Sequence, residues 1–227
     1  MLAYWISLGA ATGGLGGALV GGVGGRLAMF LLRLTSADGV RGIESDDGFI
    51  IGRFDPLATA QLILFTALLG SITGLIMVAG RPFFPRRGMA LAWGIAGALL
   101  GGSILVEADG VDFTVLEPHW LAVSLFVAIP AAGACLIAWL QDLYPRFWWR
   151  HRIATAVACL VIVPAIIFVP VGIVCLLVAA AWVMVLRVPA MRECANWVPA
   201  RAAALVVFAG LCALGAFGLA NDMRAIL

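Results

Sequence analysis

A bare stripe runs through the first apolar stretch of the chain. Gly9, Gly13, Gly17, Gly21 and Gly25 recur every four residues, with Gly14, Gly16, Gly22 and Gly24 between them. In water such a helix is poor, because each interior Gly costs roughly 1 kcal/mol relative to Ala. In lipid an unmade backbone hydrogen bond is costlier still, so the helix forms regardless. Residues four apart share a helix face, and a face without side chains admits a second backbone at close range. The stripe therefore predicts a membrane helix built to be packed against. A partial echo at Gly94, Gly97 and Gly101 predicts that spans 1 and 3 face each other inside one chain.

Composition agrees with a bilayer. Of 227 residues 64% are hydrophobic and 11% charged, and the mean hydropathy is +1.11. That balance belongs to a polytopic membrane protein. The first segment has no basic leader and no convincing cleavage site, so it reads as a retained helix. All fourteen basic residues are Arg, the mark of a GC-rich genome. A net charge of +2 with no basic stripe argues against nucleic acid as a partner. Cys135, Cys159, Cys175, Cys194 and Cys212 form no CxxC pair, so neither a disulfide nor a thiolate metal site is expected.

Apolar segments of about 20 residues can cross the hydrocarbon. They fall near 3–25 (or on to 34), 57–80, 88–106, 119–140, 153–169, 171–187 and 202–220. The stretch 153–187 is too long for one span, and Pro164, Pro170 and Gly172 favour a hairpin within it. Arginines occupy the connections 81–87, 141–152 and 187–201, which alternate with acidic connections at 35–56 and 107–118. The positive-inside rule then gives seven spans, with the N-terminus cytoplasmic and the C-terminus extracytoplasmic. Tyr4, Trp5, Phe83, Phe84, Tyr144, Trp148, Trp149 and Trp197 lie near the cytoplasmic ends of that scheme, where amphipathic rings prefer to sit.

Two stretches look duplicated. Glu44-Ser-Asp-Asp-Gly48, Asp55-Pro56, a span and Phe84-Pro85-Arg86 are echoed by Glu107-Ala-Asp-Gly110, Glu117-Pro118, a span and Tyr144-Pro145-Arg146. Upstream, Gly14–Gly22 resembles Gly94–Gly102 at an offset of 80. The fold class expected is thus an all-α polytopic transmembrane bundle of about seven spans, with duplicated hairpins in the first four. Its two parts are a glycine-rich four-span half, 1–150, and an apolar three-span half, 151–227.

Three segments, Gly24-Gly-Arg-Leu-Ala-Met29, Glu44-Ser-Asp-Asp-Gly-Phe-Ile-Ile-Gly-Arg-Phe54 and Asp112-Phe-Thr-Val-Leu-Glu-Pro118, carry a resemblance over about residues 13–135. As a set they resemble a group of multi-pass membrane proteins of actinobacteria and similar GC-rich bacteria. The resemblance implies a bacterial plasma-membrane location and carries no activity to transfer.

Nine of the twelve acidic residues lie in the two outer connections. Glu44, Asp46, Asp47, Glu107, Asp109, Asp112 and Glu117, with His119 beside them, are candidates for cation binding at an outer mouth. Solvated turns explain the same acids, since Asp-Gly pairs are ordinary turn formers and no EF-hand spacing is present. Arg26 extends the first span past its glycines, where Asp46, Asp47 or Glu107 would pair with it, or where it would contact an anion. Gln61, Ser71, Thr73 and Ser103 are the polar residues expected to line a pathway, if there is one. A helix from 3 to 34 would measure about 48 Å at 1.5 Å per residue, so it tilts outward or breaks after Gly25.

No dinucleotide fingerprint, Walker lysine, His-Glu-x-x-His or Gly-x-Ser-x-Gly element is present. An enzyme is the least supported class, and no cofactor is expected. A structural or accessory membrane subunit, assembling with itself or a partner, is the leading expectation. The alternative is a small transporter or channel for a cation or small solute.

Overall fold

The computed structural model describes residues 2–40, 42–45, 55–84, 88–148 and 197–227. Every regular element among them is helical. In chain order they are α1 (Leu2–Gly16), a π-helical segment π1 (Gly17–Gly24), α2 (Gly25–Thr35), a 3₁₀ turn (Asp38–Val40), α3 (Pro56–Gly80), α4 (Met89–Ala96), π2 (Gly97–Gly101), α5 (Gly102–Leu105), α6 (Val111–Thr114), α7 (His119–Trp148) and α8 (Val198–Ile226).

Among the described residues four helical stretches are long and apolar enough to cross a membrane: Leu8–Thr35, Pro56–Gly80, His119–Leu143 and Val198–Ile226. Met89–Leu105 is apolar but shorter, about 25 Å at 1.5 Å per residue. The predicted spans at 153–169 and 171–187 lie outside the described residues. Large apolar side chains stand exposed along the long helices, among them Leu19, Leu64, Phe65, Leu91, Val206, Leu214 and Phe217. Such a surface fits contact with lipid.

The long elements run between two faces. Arg81, after α3, pairs with Asp142 on α7 at one of them. Thr35, ending α2, bonds to Glu117 just before α7 at the other. Phe84 packs edge-on against Phe208 and tilted against Trp93, fixing the early turns of α4 and α8 to the 81–84 connection. At the opposite end of α8, Leu219 joins Leu32, Val106, Phe113, Leu116 and Val123 in a buried cluster. We call these the basic face and the acidic face after the connections each bears.

The first helix does not break. Gly16 and Gly25 both have right-handed helical dihedrals on either side of π1, so one rod continues from Leu2 to Thr35. Its start on the return path is well specified. Asp55 caps α3 by accepting from the amides of Leu57 and Ala58, with Pro56 in the first turn, an arrangement typically worth about 1 kcal/mol. On the basic face α7 continues to Trp148, so the first part of the expected 141–152 loop is helix.

The glycine stripe packs inside the chain, but not against the second glycine helix. A Cβ on Gly9 would come 2.9 Å from Leu75 Cα; one on Gly13 would overlap the Gly70 carbonyl, and one on Gly17 the Thr66 carbonyl. In return, a Cβ on Gly70 or Gly74 would strike the carbonyl of Gly13 or Gly9. The rod's partner is therefore its own return helix, α3, whose Gly70 and Gly74 complete a contact of backbone on backbone. Gly21 meets the Thr66 side chain, whereas Gly25 has only Leu62 Cδ2 at 4.0 Å. The second glycine helix repeats the choice. Gly94 packs on Cys135 and Gly97 and Gly101 on Pro130, all on its return helix α7. The expected pairing of spans 1 and 3 is thus replaced by two separate hairpin contacts. Each bare face packs on the antiparallel helix that follows it in the chain.

Candidate functional site

The acidic face is where the sequence concentrates its charge, and a hydroxyl clasp organises it. The Thr35 hydroxyl donates to the Glu117 carbonyl at 2.9 Å. Ser36 Oγ lies 2.8 Å from Leu32 O and accepts the Glu117 N–H at 2.9 Å. Both hydroxyls stand at the end of α2, where helix carbonyls lack intrahelical partners. The clasp therefore pins the segment before α7 onto the end of α2. Beneath it the loop buries Phe113 and Leu116, with Phe113 edge-on to Phe126 at 5.0 Å.

Beside the clasp a cavity of about 440 Å³ opens, lined by Thr35, Glu117, Pro118, His119 and Trp120 on one side and by Ile226 and Leu227 on the other. His119 Nδ1 is 3.1 Å from Leu116 O. A carbonyl can only accept, so Nδ1 carries a hydrogen, and in the tautomer that donates from Nδ1 alone Nε2 keeps its lone pair. Glu117 and Trp120 are exposed and His119 is half-buried.

Of the predicted mouth residues, Glu117 and His119 are the two brought to this cavity. Glu44, Glu107 and Asp109 are exposed, Asp112 is buried with Phe113 under the loop, and Asp46 and Asp47 lie outside the described residues. Among the described residues no group of three His, Cys, Asp or Glu side chains is disposed to hold a metal ion.

The predicted pathway residues do not converge. Arg26 is half-buried in the first turn of α2, with Nε and Nη2 shielded from solvent. Gln61 is exposed near the start of α3. Thr73 donates to Leu69 O at 2.9 Å and Ser103 to Leu100 O at 3.0 Å, each a carbonyl of its own helix. Other hydroxyls follow suit. Thr12 bonds to Leu8 O at 2.6 Å, Thr66 to Leu62 O at 2.9 Å and Ser124 to Trp120 O at 2.6 Å. Ser71 shares its hydroxyl between Ala67 O at 2.9 Å and Ala10 O across the hairpin at 3.1 Å.

One interior residue escaped the sequence reading. Gln141 is fully buried, and its Nε2 donates to Gly74 O at 2.9 Å. Its Oε1 is buried with no hydrogen-bond partner. Gln141 thus ties α7 to α3 at the same glycine that touches Gly9. Next to Asp142 it reads as the start of a loop, and only the continuation of α7 reveals it as interior.

No family model, curated protein or solved structure matches the chain.

Proposed function

We propose that the chain is a structural or accessory subunit of a bacterial plasma membrane, with its basic face cytoplasmic and its acidic face outside. In this reading it has seven spans, those at 153–169 and 171–187 completing the set, and it carries out no catalysis. Its first two hairpins are a duplication. Both glycine helices contain a π segment, at Gly17–Gly24 and Gly97–Gly101, and these begin 80 residues apart, the offset at which the two sequences already align. Each helix also sets its glycines against the helix that follows it.

The observation that carries the accessory reading is the fate of the polar side chains. Hydroxyls expected along a pathway spend their hydrogens on helix carbonyls and do not converge on a common space. Backbones meeting across glycine leave no side-chain-lined gap between α1 and α3. Such a unit presents apolar outer faces for lipid or for partner subunits, itself included.

Cysteine accessibility tests it. In a background with the five native cysteines replaced, Thr73→Cys and Ser103→Cys are expected to resist a membrane-impermeant thiol reagent from both sides. Labelling of both positions from either aqueous side would overturn the accessory reading in favour of a transporter or channel.

A further inference from the structure

The cavity beside the hydroxyl clasp has a chemistry that nothing above assigns. Its lining is rich in acceptors. Glu117 supplies a carboxylate, His119 the Nε2 lone pair of the tautomer that donates from Nδ1, and Thr35 the lone pairs of a hydroxyl whose hydrogen is spent on Glu117 O. Trp120 adds an exposed indole, whose face attracts cations. Among the described residues no Arg lines the cavity, and the chain has no Lys. Three helix ends meet here: the C-terminal ends of α2 at Thr35 and of α8 at Ile226, and the N-terminal end of α7 at His119. Two partial charges of about −0.5 outweigh one of about +0.5. The full charge of Glu117 adds to that sign.

Its position narrows the ligand further. Ile226 and Pro118 give the cavity apolar wall, and, resting on the membrane placement proposed above, it lies where the long helices end, at the depth of a bilayer's polar zone. We propose that this cavity binds a primary ammonium group, the headgroup amine of an ethanolamine phospholipid or a free small amine of the same kind. The ammonium N–H groups go to Glu117 and His119, and the Trp120 face flanks the cation. Three N–H donors meet a cluster of acceptors. A choline headgroup, with no N–H, leaves those acceptors unmatched.

The test uses the full-length chain. It is placed in nanodiscs of phosphatidylethanolamine with phosphatidylglycerol, and in nanodiscs of phosphatidylcholine with phosphatidylglycerol. Lipid retained on the protein is then read by native mass spectrometry. Expected is selective retention of phosphatidylethanolamine over phosphatidylcholine, lowered about tenfold or more by Glu117→Gln, as for loss of a charged hydrogen bond. Glu107→Gln removes the same charge from the same face outside the cavity and is expected to keep the selectivity. In detergent, ethanolamine added alone distinguishes the source. A rise in thermal midpoint that Glu117→Gln abolishes assigns the site to a free amine, and its absence alongside lipid retention assigns it to the headgroup. Equal retention of both lipids together with no response to ethanolamine would overturn the proposal, as would equal losses in Glu107→Gln and Glu117→Gln. The unfolding midpoint of each variant without ligand separates loss of binding from loss of fold, and Glu117 is exposed, so the variant should fold.

Discussion

Gly17→Ala and Gly24→Ala place the same methyl group at the two ends of one π segment and should move stability in opposite directions. At Gly17 the new Cβ overlaps the carbonyl of Thr66 and comes 3.0 Å from Gly70 Cα. Both are backbone atoms, so the two helices must separate by roughly 1 Å, enough for facing atoms to forfeit a quarter to a half of their dispersion energy. A set of contacts the size of one buried Leu is about 40–60 atom pairs at about 0.1–0.2 kcal/mol each, and a quarter of that is about 1–3 kcal/mol. At Gly24 the added Cβ meets nothing nearer than 3.7 Å, and the atoms it meets belong to Leu19 and Val20 of the same rod. Its backbone is already helical, with φ −62° and ψ −42°. Whatever Ala gains over Gly in helix propensity, up to about 1 kcal/mol, both variants gain alike. The contrast between them therefore isolates the backbone contact at about 1–3 kcal/mol. Reversible unfolding in mixed micelles measures it, with size-exclusion chromatography reporting oligomeric state. If Gly17→Ala is as stable as Gly24→Ala, α1 and α3 do not meet backbone to backbone. If Gly17→Leu stays a folded monomer and loses only self-association, the glycine face serves another copy and not α3.

Other perturbations test other parts of the packing. Gln141→Leu removes an unpartnered buried oxygen along with the bond to Gly74 and should stay within about 1 kcal/mol of the parent in the same unfolding assay, whereas Gln141→Ala, which leaves a cavity, should cost about 2 kcal/mol or more. Ser71→Ala deletes a hydroxyl shared across the first hairpin and should cost about 0.5–1 kcal/mol, the range of interhelical hydrogen bonds in bilayers. Asp142→Asn breaks the pair with Arg81, but the Asp142 side chain is 54% exposed; the loss should be below about 1 kcal/mol and should shrink further in high salt. Phe208→Ala removes the ring that packs on both Phe84 and Trp93, so protease should cut more readily at the 81–88 connection.

Helix positions were legible because apolar length is a direct consequence of burial in lipid. The segment predicted at 57–80 is found at Pro56–Gly80, that at 88–106 at Met89–Leu105, and that predicted at 119–140 begins at His119. The glycine stripe announced close packing without naming its partner. A bare face fits any backbone, and the matching glycines, Gly70 and Gly74, are only two and carry no stripe of their own. Gln141 was hidden for a different reason. A single buried amide beside a charge looks like a helix boundary, and its role depends on which helix passes behind it. At the acidic face the sequence displayed the carboxylates but not the clasp. Thr35 and Ser36 reach Glu117 across about eighty residues of chain, a separation that no local pattern encodes.

The π segments change how residues are counted along the first rod. An α-helix advances 100° per residue, so each wider turn lets the chain fall behind in phase, as if a residue had been slipped in. Ala28 and Leu32 are buried beyond π1. Deleting one residue between Gly17 and Gly24 would return that segment to ordinary winding and leave the upper third in phase, whereas deleting one from the ordinary helix just beyond Gly25 would turn the rest of the rod by about 100°. Leu32 would then swing out of the acidic-face cluster, and Thr35 away from Glu117. The glycine-rich stretch thus acts as a phase adjuster, the place where the loss of one residue would be felt least at the far end of the helix.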